Sequence, residues 1–255
     1  MISVGPLNIV VACGPFALVD ELDYSPLQAL LERINAMEPH VAILLGPFLD
    51  ARNKKVESGD LPTTYDDEFE RIMNGLQTSI NESIQVVIVP SWRDVHHQAV
   101  YPTAPFPRPK NCPGRFHFTS DPCLLDINGV SVALTSTDIL LHLGKEEIAL
   151  APQGSDRMGR LASHILGQQS FYPLYPPAEE MSIDLQRWAD FCYLNSTPNL
   201  LILPSDLRHF VKKVEGCVVI NPERTVKGSS GGTFARLQLN CHEKVLKVKA
   251  EIVRV

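Results

Sequence analysis

Three short apolar runs, each closed by a proline, limit what this chain can fold into. They cover residues 9–13, 41–45 and 86–89, and a proline follows each within two residues. Runs of β-branched residues that end in this way predict buried strands, each delivering a loop at its carboxyl end. Helical apolar spacing separates the first two runs, so a parallel, right-handed β-α-β unit is predicted. Ligands of open α/β sheets bind beyond the carboxyl ends of strands, so these loops predict where a site would lie.

Two helix starts are also encoded. Ser25 is predicted as an N-cap with Pro26 at the first helical position, and Thr64 with Asp67 forms a predicted capping box. The polar residues 51–62 between these helices are predicted to form a loop.

The second half of the chain carries mainly strand signals. Asn128-Gly129 suits the tight turn of a hairpin across residues 124–132. The basic segment 208–213 is predicted as the solvated face of a helix, with nucleic-acid contact as the alternative. No repeat or linker divides the sequence, so residues 1–255 are predicted to form a single domain. Further strands are predicted at 200–203, 217–220, 233–239 and 245–255.

Composition narrows the classes of function. The 255 residues are 44% hydrophobic, which allows a sizeable core, and the formal net charge of −6 gives no global attraction for nucleic acid. No run of about 18 apolar residues is present that would span a bilayer. Six cysteines without a C-x-x-C pair predict neither a zinc finger nor a disulfide framework, and they favour an intracellular protein.

Several side chains of metal-ligand type occur in the sequence, four of them at or near the predicted strand ends. A dinuclear hydrolase needs carboxylates and imidazoles that converge on two ions about 3.5–4 Å apart. The neighbouring His96 and His97 cannot both face one metal centre without strain. The alternative is therefore that they are ordinary loop residues that bind no metal. The candidates are Asp50, Asp94, His96, His97, His142 and His209.

Nucleophilic chemistry has weaker support. Ser91, Ser136 and Ser205 follow predicted strands, but no G-x-S-x-G elbow surrounds them. Cys13 is predicted as a buried apolar thiol. The glycine-rich residues 228–233 lack the Lys-Ser/Thr of a phosphate loop and predict a tight turn or flexible loop.

Six motifs, in order along nearly the whole chain, carry a resemblance. Together they resemble the calcineurin-like metallophosphoesterase fold and, more closely, the phosphoesterase-like domain of the B-subunit family of DNA polymerase α–primase. The resemblance implies an α/β fold, a β-sandwich of mixed sheets flanked by helices. The motifs are Val-Ala-Cys-Gly-Pro-Phe at 11–16, Leu-Gly-Pro-Phe-Leu-Asp-Ala at 45–51, Val-Pro-Ser-Trp-Arg-Asp-Val-His-His at 89–97, Leu-Thr-Ser-Thr-Asp at 134–138, Tyr-Pro-Leu-Tyr-Pro-Pro at 172–177 and Gly-Gly-Thr-Phe-Ala-Arg-Leu at 231–237.

Active phosphoesterases of this fold carry Asp-x-His, Gly-Asp-x-x-Asp and Gly-Asn-His-Asp or -Glu at the three strand ends. This chain has Cys-Gly-Pro at 13–15, Gly-Pro-Phe-Leu-Asp at 46–50 and Ser-Trp-Arg-Asp at 91–94, and residues 135–136 and 204–206 replace later histidine positions. The resemblance therefore implies no catalytic residue, no metal and no cofactor. The alternative is an active metal-dependent phosphodiesterase or nuclease with atypical ligands, including Asp50 and Asp94.

By resemblance, the expected function is that of a nuclear, non-catalytic accessory or scaffold subunit of the polymerase α–primase complex. It would bind the C-terminal domain of the catalytic subunit and meet primase through the complex. It would contact DNA only indirectly or weakly and would have no membrane partner. In this role it would support the initiation of DNA replication. Family members also have an oligonucleotide-binding-type domain and an N-terminal region, both expected to be absent here.

Aromatic residues in proline-rich loops are the predicted partner-binding residues. They are Trp92, Phe106, Tyr172 and Tyr175. Rigid aromatic loops lose little entropy on binding and offer large apolar contacts. The alternative is that these side chains pack internally and order their own loops.

Overall fold

The apolar runs form parallel strands, and later strands complete two sheets. The structure, a computed structural model, describes residues 5–148, 154–242 and 245–255. Its strands are β1 (Leu7–Cys13), β2 (Val41–Leu45), β3 (Gln85–Val89), β4 (Phe116–Phe118), β5 (Cys123–Ile127), β6 (Val130–Leu134), β7 (Leu200–Ile202), β8 (Phe210–Val214), β9 (Cys217–Asn221), β10 (Val226–Lys227), β11 (Ser230–Gly231), β12 (Thr233–His242) and β13 (Val245–Arg254). Its helices are α1 (Ser25–Met37), α2 (Lys54–Ser58), α3 (Tyr65–Ser79), α4 (Ile139–Lys145), α5 (Arg157–Gly167) and α6 (Leu185–Phe191).

The two large sheets are both mixed. The first has the order β13-β12-β1-β2-β3-β4, in which β1 to β4 are parallel and the β12–β13 hairpin adds antiparallel to β1. The second has the order β5-β6-β7-β9-β8, with β6, β7 and β9 parallel and an antiparallel strand at each edge. The predicted α/β fold with mixed sheets flanked by helices is confirmed.

Apolar layers fill both faces of the first sheet. Ile9 and Val11 of β1 face the second sheet, while Val10 and Ala12 face the layer under α1 and α3. A strand covered on both faces is apolar at successive positions, which explains the unbroken runs in the sequence. The second sheet is covered on its outer face by α4 and α5.

Strand register brings the predicted loops to one edge. Cys13 lies opposite Leu45, and Leu45 lies opposite Val89, so β1, β2 and β3 end side by side. In the second sheet, Leu134 and Ile202 are paired at the ends of β6 and β7. The prediction of adjacent loops beyond the parallel strands is confirmed.

Local capping explains where the helices begin. The Thr64 hydroxyl accepts a hydrogen bond from the Asp67 main-chain N–H at 3.1 Å, which confirms the predicted cap. Helix α1 begins one residue earlier than predicted, at Ser25, whose N–H donates to the Asp23 carboxylate at 2.9 Å. Pro26 lies in its first turn, where a missing N–H costs no helical hydrogen bond.

Two predictions of local structure are wrong. Residues 51–62 contain α2, because the Asn53 side chain accepts a hydrogen bond from the Lys55 N–H at 2.9 Å and starts a helix. Segment 208–213 is not a helix face, because its last residues enter β8 and pair antiparallel with β9. The turns at Asn128-Gly129 and at Gly228 (φ 60°) are confirmed. Among the described residues, no helix is long and apolar enough to cross a membrane.

Candidate functional site

The loops that follow the strands of both sheets meet at one place, which we call the strand-end junction. Its centre is Arg224, three residues after β9. The Arg224 Nη1 donates to the Cys13 Sγ at 3.0 Å and to the Ser136 carbonyl oxygen at 3.3 Å. One guanidinium therefore joins the end of the first sheet to a loop of the second.

Arg224 is buried, with one carboxylate neighbour that is nearly buried (Asp138) and one that is half exposed (Asp206). Only 2% of the residue is exposed, and its guanidinium lies 3.2 Å from the Asp206 carboxylate and 3.6 Å from that of Asp138. Burial alone lowers the pKa of Arg224, but the neighbouring Cys13, Asp138 and Asp206 outweigh it and raise that pKa. The arginine stays charged, and removing it would leave Asp138 uncompensated in the interior.

Cys13 is a buried thiol, as predicted. It is 0% exposed, and its Sγ donates to the Gly46 carbonyl oxygen at 3.2 Å. Burial raises the pKa of Cys13 to about 11, although Arg224 pulls it the other way. The thiolate that nucleophilic chemistry requires is thus disfavoured at neutral pH.

A second arginine holds the nearby carboxylate. Arg93 donates two hydrogen bonds to the Asp50 carboxylate, from Nε to Oδ1 at 3.0 Å and from Nη2 to Oδ2. The side chains of Arg93 and Asp50 are 13% and 10% exposed. Bidentate pairs of this kind fix geometry as well as charge. Asp50 also accepts the Arg52 N–H at 3.1 Å, so its oxygens are occupied.

Asp94 closes the loops after β2 and β3. Its carboxylate accepts main-chain N–H groups from Phe48 at 2.6 Å, Leu49 at 3.0 Å and Ser91 at 2.9 Å. Burial raises the pKa of Asp94 to about 7, with the three N–H donors acting in the opposite direction. Gly46 leaves room for this arrangement, because a Cβ there would lie 2.5 Å from the Asp94 Oδ2.

Asp121 has the matching role beside the second sheet. It is 0% exposed and accepts the Ser136 N–H at 2.9 Å and the Ser136 hydroxyl at 2.6 Å. Burial raises the pKa of Asp121 to about 6, and the hydrogen bonds from the neighbouring hydroxyls oppose this rise. Ser136 is therefore engaged as a structural donor.

The candidate histidines do not converge. His96 stacks on Phe69 with a centroid distance of 3.6 Å, and the ring of its neighbour His97 faces the Ala104 carbonyl oxygen at 2.9 Å. His142 lies between the Tyr172 hydroxyl and Glu180. His209 is partly exposed beside Glu223. In residues 5–148, 154–242 and 245–255, no group of three His, Cys, Asp or Glu side chains could hold a metal ion.

The four predicted partner-binding residues have different environments. Phe106 and Tyr172 are 2% and 0% exposed, so they order their own loops. Tyr175 is 78% exposed, and Trp92 is half-buried with the Arg52 guanidinium 6.0 Å from its ring. Their role in partner binding stays a prediction.

A cavity of about 370 Å³ opens beside the junction. The apolar side chains of Phe16 and Phe48 line one side, and Asp50 and Arg93 line another. Asp50 and Arg93 bind each other, and Arg52 and Lys227 of the wall form ion pairs with Glu180 and Glu223, so the cavity offers little free charge to a ligand.

Asp50 and Asp94 of the junction are predicted from the sequence, whereas Arg224 and Asp121 are not. The sequence does hold a signal for Arg224, because this residue follows the predicted strand at 217–220. The three loops after residues 9–13, 41–45 and 86–89 follow predicted strands in the same way. Asp121 follows no strand with a clear apolar run, and only its folded contacts reveal its role.

One family of proteins shares most of this sequence. The family model described as the DNA polymerase alpha/epsilon B subunit matches residues 9–212. The chain belongs to this family.

Curated relatives bear a more specific name. The chain is 44% identical over 259 residues to the DNA polymerase alpha B subunit of Rattus norvegicus, covering 97% of the chain and 43% of that protein. It is 43% identical over 231 residues to the protein of that name from Drosophila melanogaster (90% and 37%). For Schizosaccharomyces pombe the identity is 33% over 273 residues (98% and 47%). The chain thus spans less than half the length of these relatives.

Solved structures show only weak likeness. An archaeal phosphodiesterase aligns with a TM-score of 0.41 and 10% identity, covering 96% of this chain and 99% of that one. Vps29 of Chaetomium thermophilum aligns with a TM-score of 0.41 and 11% identity, covering 97% of each chain. At this similarity they decide nothing about the chemistry of the junction.

Proposed function

We propose that this chain is the phosphoesterase-like part of a non-catalytic accessory subunit of the polymerase α–primase complex. Membership of the B-subunit family and the shared name of the relatives support the subunit role. The observation that carries the non-catalytic part is the pair of arginines, Arg93 and Arg224, which form ion pairs with the carboxylates at the strand ends.

The arginines matter because they supply the positive charge that a metal ion would bring. Arg93 stands where the resemblance expects a histidine ligand, and Cys13 stands where it expects an aspartate. Losing one ligand weakens a metal site and losing most of them abolishes it. The alternative, an active phosphodiesterase or nuclease that uses Asp50 and Asp94, requires both carboxylates to leave their present partners.

The proposed scaffold binds the C-terminal domain of the polymerase catalytic subunit. The chain contacts primase only through the complex, and it acts in the nucleus. Its contact with DNA is indirect or weak, because the chain has a net charge of −6. Tyr175 and Trp92 are the predicted contact residues, while Phe106 and Tyr172 hold the loops that present them. Exposed aromatic residues of this kind are frequent energetic centres of interfaces.

Binding of the isolated C-terminal domain to the purified chain tests this proposal. We expect Tyr175→Ala to weaken binding by about 2 kcal/mol without lowering the melting temperature. Tyr193→Ala is the matched control, since Tyr193 is also exposed (60%) but lies outside the predicted contacts. No binding of the parent chain would contradict the scaffold role, and equal losses in both variants would contradict the assignment to Tyr175.

A further inference from the structure

Three of the four edge strands of the two large sheets are protected against pairing with another chain. Lys247 and Lys249 project from β13, Lys212 and Lys213 from β8, and β4 is only three residues long. Charged side chains and short length are the usual means by which sheet edges avoid unwanted strand addition. These edges are therefore closed to a further strand.

The fourth edge strand, β5, has weaker protection, because it is five residues long and carries a single charged residue, Asp126. Its sequence Cys-Leu-Leu-Asp-Ile contains neither lysine nor proline, and Leu124 is 48% exposed. β5 pairs with β6 on one side only, and Ile127 and Val130 flank the two-residue turn. Because ladder hydrogen bonds alternate from that turn, the main chain of Leu124 and Asp126 points away from β6. In the described part of the chain, no main-chain hydrogen bond reaches either residue.

An open groove of about 740 Å³ runs beside β5. Its walls include the apolar side chains of Val87, Phe118 and Leu125, together with Arg108. The Arg108 guanidinium donates only to main-chain carbonyl oxygens, at 2.7–3.2 Å, and no carboxylate lies within ion-pair distance among the described residues.

Charge selects the kind of occupant. Among the lining residues, the Arg108 guanidinium has no carboxylate partner in the described part of the chain, whereas the Asp126 carboxylate already accepts the Gly129 N–H at 2.8 Å. His40 and His117 also line the groove and are hydrogen-bonded to the Asn8 N–H and the Gln85 side chain. A segment with carboxylates complements this lining, and its apolar side chains would cover Leu124 and the groove wall. Strand addition at a sheet edge takes its affinity from main-chain hydrogen bonds and its specificity from such side-chain pockets.

We propose that β5 is a strand-addition site for an extended segment of a partner protein, with alternating apolar and acidic residues. The site is separate from the strand-end junction and does not depend on the proposed function. It predicts recognition of acidic, β-prone segments and exclusion of basic ones.

The probe is the peptide Val-Glu-Val-Glu-Val-amide with fluorescein on its N-terminus, and its fluorescence anisotropy is measured as the full 255-residue chain is added. Leu124→Pro removes an outward N–H that β6 does not use, so the strand keeps its own pairing. We expect this variant to weaken peptide binding by about tenfold. Val211→Pro is the matched control, because Val211 is exposed (40%), lies on β8 and stands at the same distance from a two-residue turn. It should leave binding unchanged.

Two further measurements keep the result decisive. Leu124→Asp, which preserves the main-chain N–H and places a carboxylate beside the glutamate probe, should also weaken binding if Leu124→Pro proves unfolded. Arg108→Gln should weaken the glutamate peptide several-fold and leave a Val-Thr-Val-Thr-Val peptide unaffected. The proposal is overturned if the parent chain does not bind the probe or if Val211→Pro loses binding equally. It is also overturned if sedimentation shows that the parent chain self-associates and that Leu124→Pro does not.

Discussion

The strand-end junction and the β5 edge belong to the same two sheets, but they differ in whether their polar groups have partners. At the junction, Arg93 and Arg224 each meet a carboxylate, and Asp94 accepts three main-chain N–H groups. At the β5 edge, the main chain of Leu124 has no partner in the described residues, and Arg108 faces carbonyl oxygens alone. The first region is closed and supports the fold, while the second leaves its groups open to another molecule.

The largest expected effect comes from breaking the closed region at its centre. Arg224→Met leaves Asp138, whose side chain is only 10% exposed, without a counter-charge, so we expect the free energy of unfolding to fall by about 3–5 kcal/mol. Urea denaturation measures this change. Arg236→Met is the control, because Arg236 is 50% exposed and lies 4.0 Å from Glu251, and it should cost less than about 1 kcal/mol. Similar losses of stability in both variants would contradict the central role of Arg224 in the junction.

A second prediction concerns the close packing of the same region. Gly46→Ala places a Cβ 2.5 Å from the Asp94 Oδ2 and 2.9 Å from the Ser91 N, so we expect a loss of about 1–3 kcal/mol in thermal or urea unfolding. Gly75 lies inside α3, where an added Cβ would meet nothing within 4 Å, and Gly75→Ala should instead stabilise the chain by about 0.5–1 kcal/mol. If both substitutions changed the free energy of unfolding in the same direction, the tight contact at Gly46 would be contradicted.

The third prediction uses pH. Burial raises the pKa of Asp121 from 3.8 to about 6, so its protonated form favours folding. That contribution is complete below pH 3.8 and is lost as the pH rises through about 6. The Asp121→Asn variant has no group that ionises at this position, so the free energy of unfolding of the parent should fall relative to that of the variant as the pH rises from 3.8 through about 6. Parallel pH profiles from urea denaturation would contradict the raised pKa.

The smallest expected effect lies at the open edge. Leu124→Lys should change the free energy of unfolding by less than about 0.5 kcal/mol, because the exposed side chain supports no internal contact of comparable size. Val211→Lys on β8 is the parallel control. A loss of several kcal/mol in Leu124→Lys alone would mean that the β5 edge belongs to the core and is not an open surface.

Sequence patterns predict the parts of this fold that depend on neighbours along the chain. The N-cap at Thr64, the turn at Asn128-Gly129 and the strands around residues 9–13 and 41–45 all follow from local chemistry. Segment 208–213 misleads because Lys212 and Lys213 suit an exposed helix, whereas pairing with β9 decides the outcome.

The contacts of the junction are set by the folded topology. Arg224 and Cys13 are 211 residues apart in sequence, and no local pattern joins them. Asp50 and Asp94 can be found because each follows a strand, yet their type suggests metal ligation as readily as ion pairing. Only the position of Arg93 beside Asp50, and of three N–H groups around Asp94, distinguishes the two roles.

The proposed function depends most on arginines having taken the place of metal ions at the strand-end junction. Elemental analysis after dialysis against manganese or zinc, together with hydrolysis of a generic phosphodiester, tests this replacement most directly. We predict no stoichiometric metal and no turnover. A bound pair of ions, with turnover abolished by Asp50→Ala or Asp94→Ala, would contradict the replacement and make this chain an enzyme.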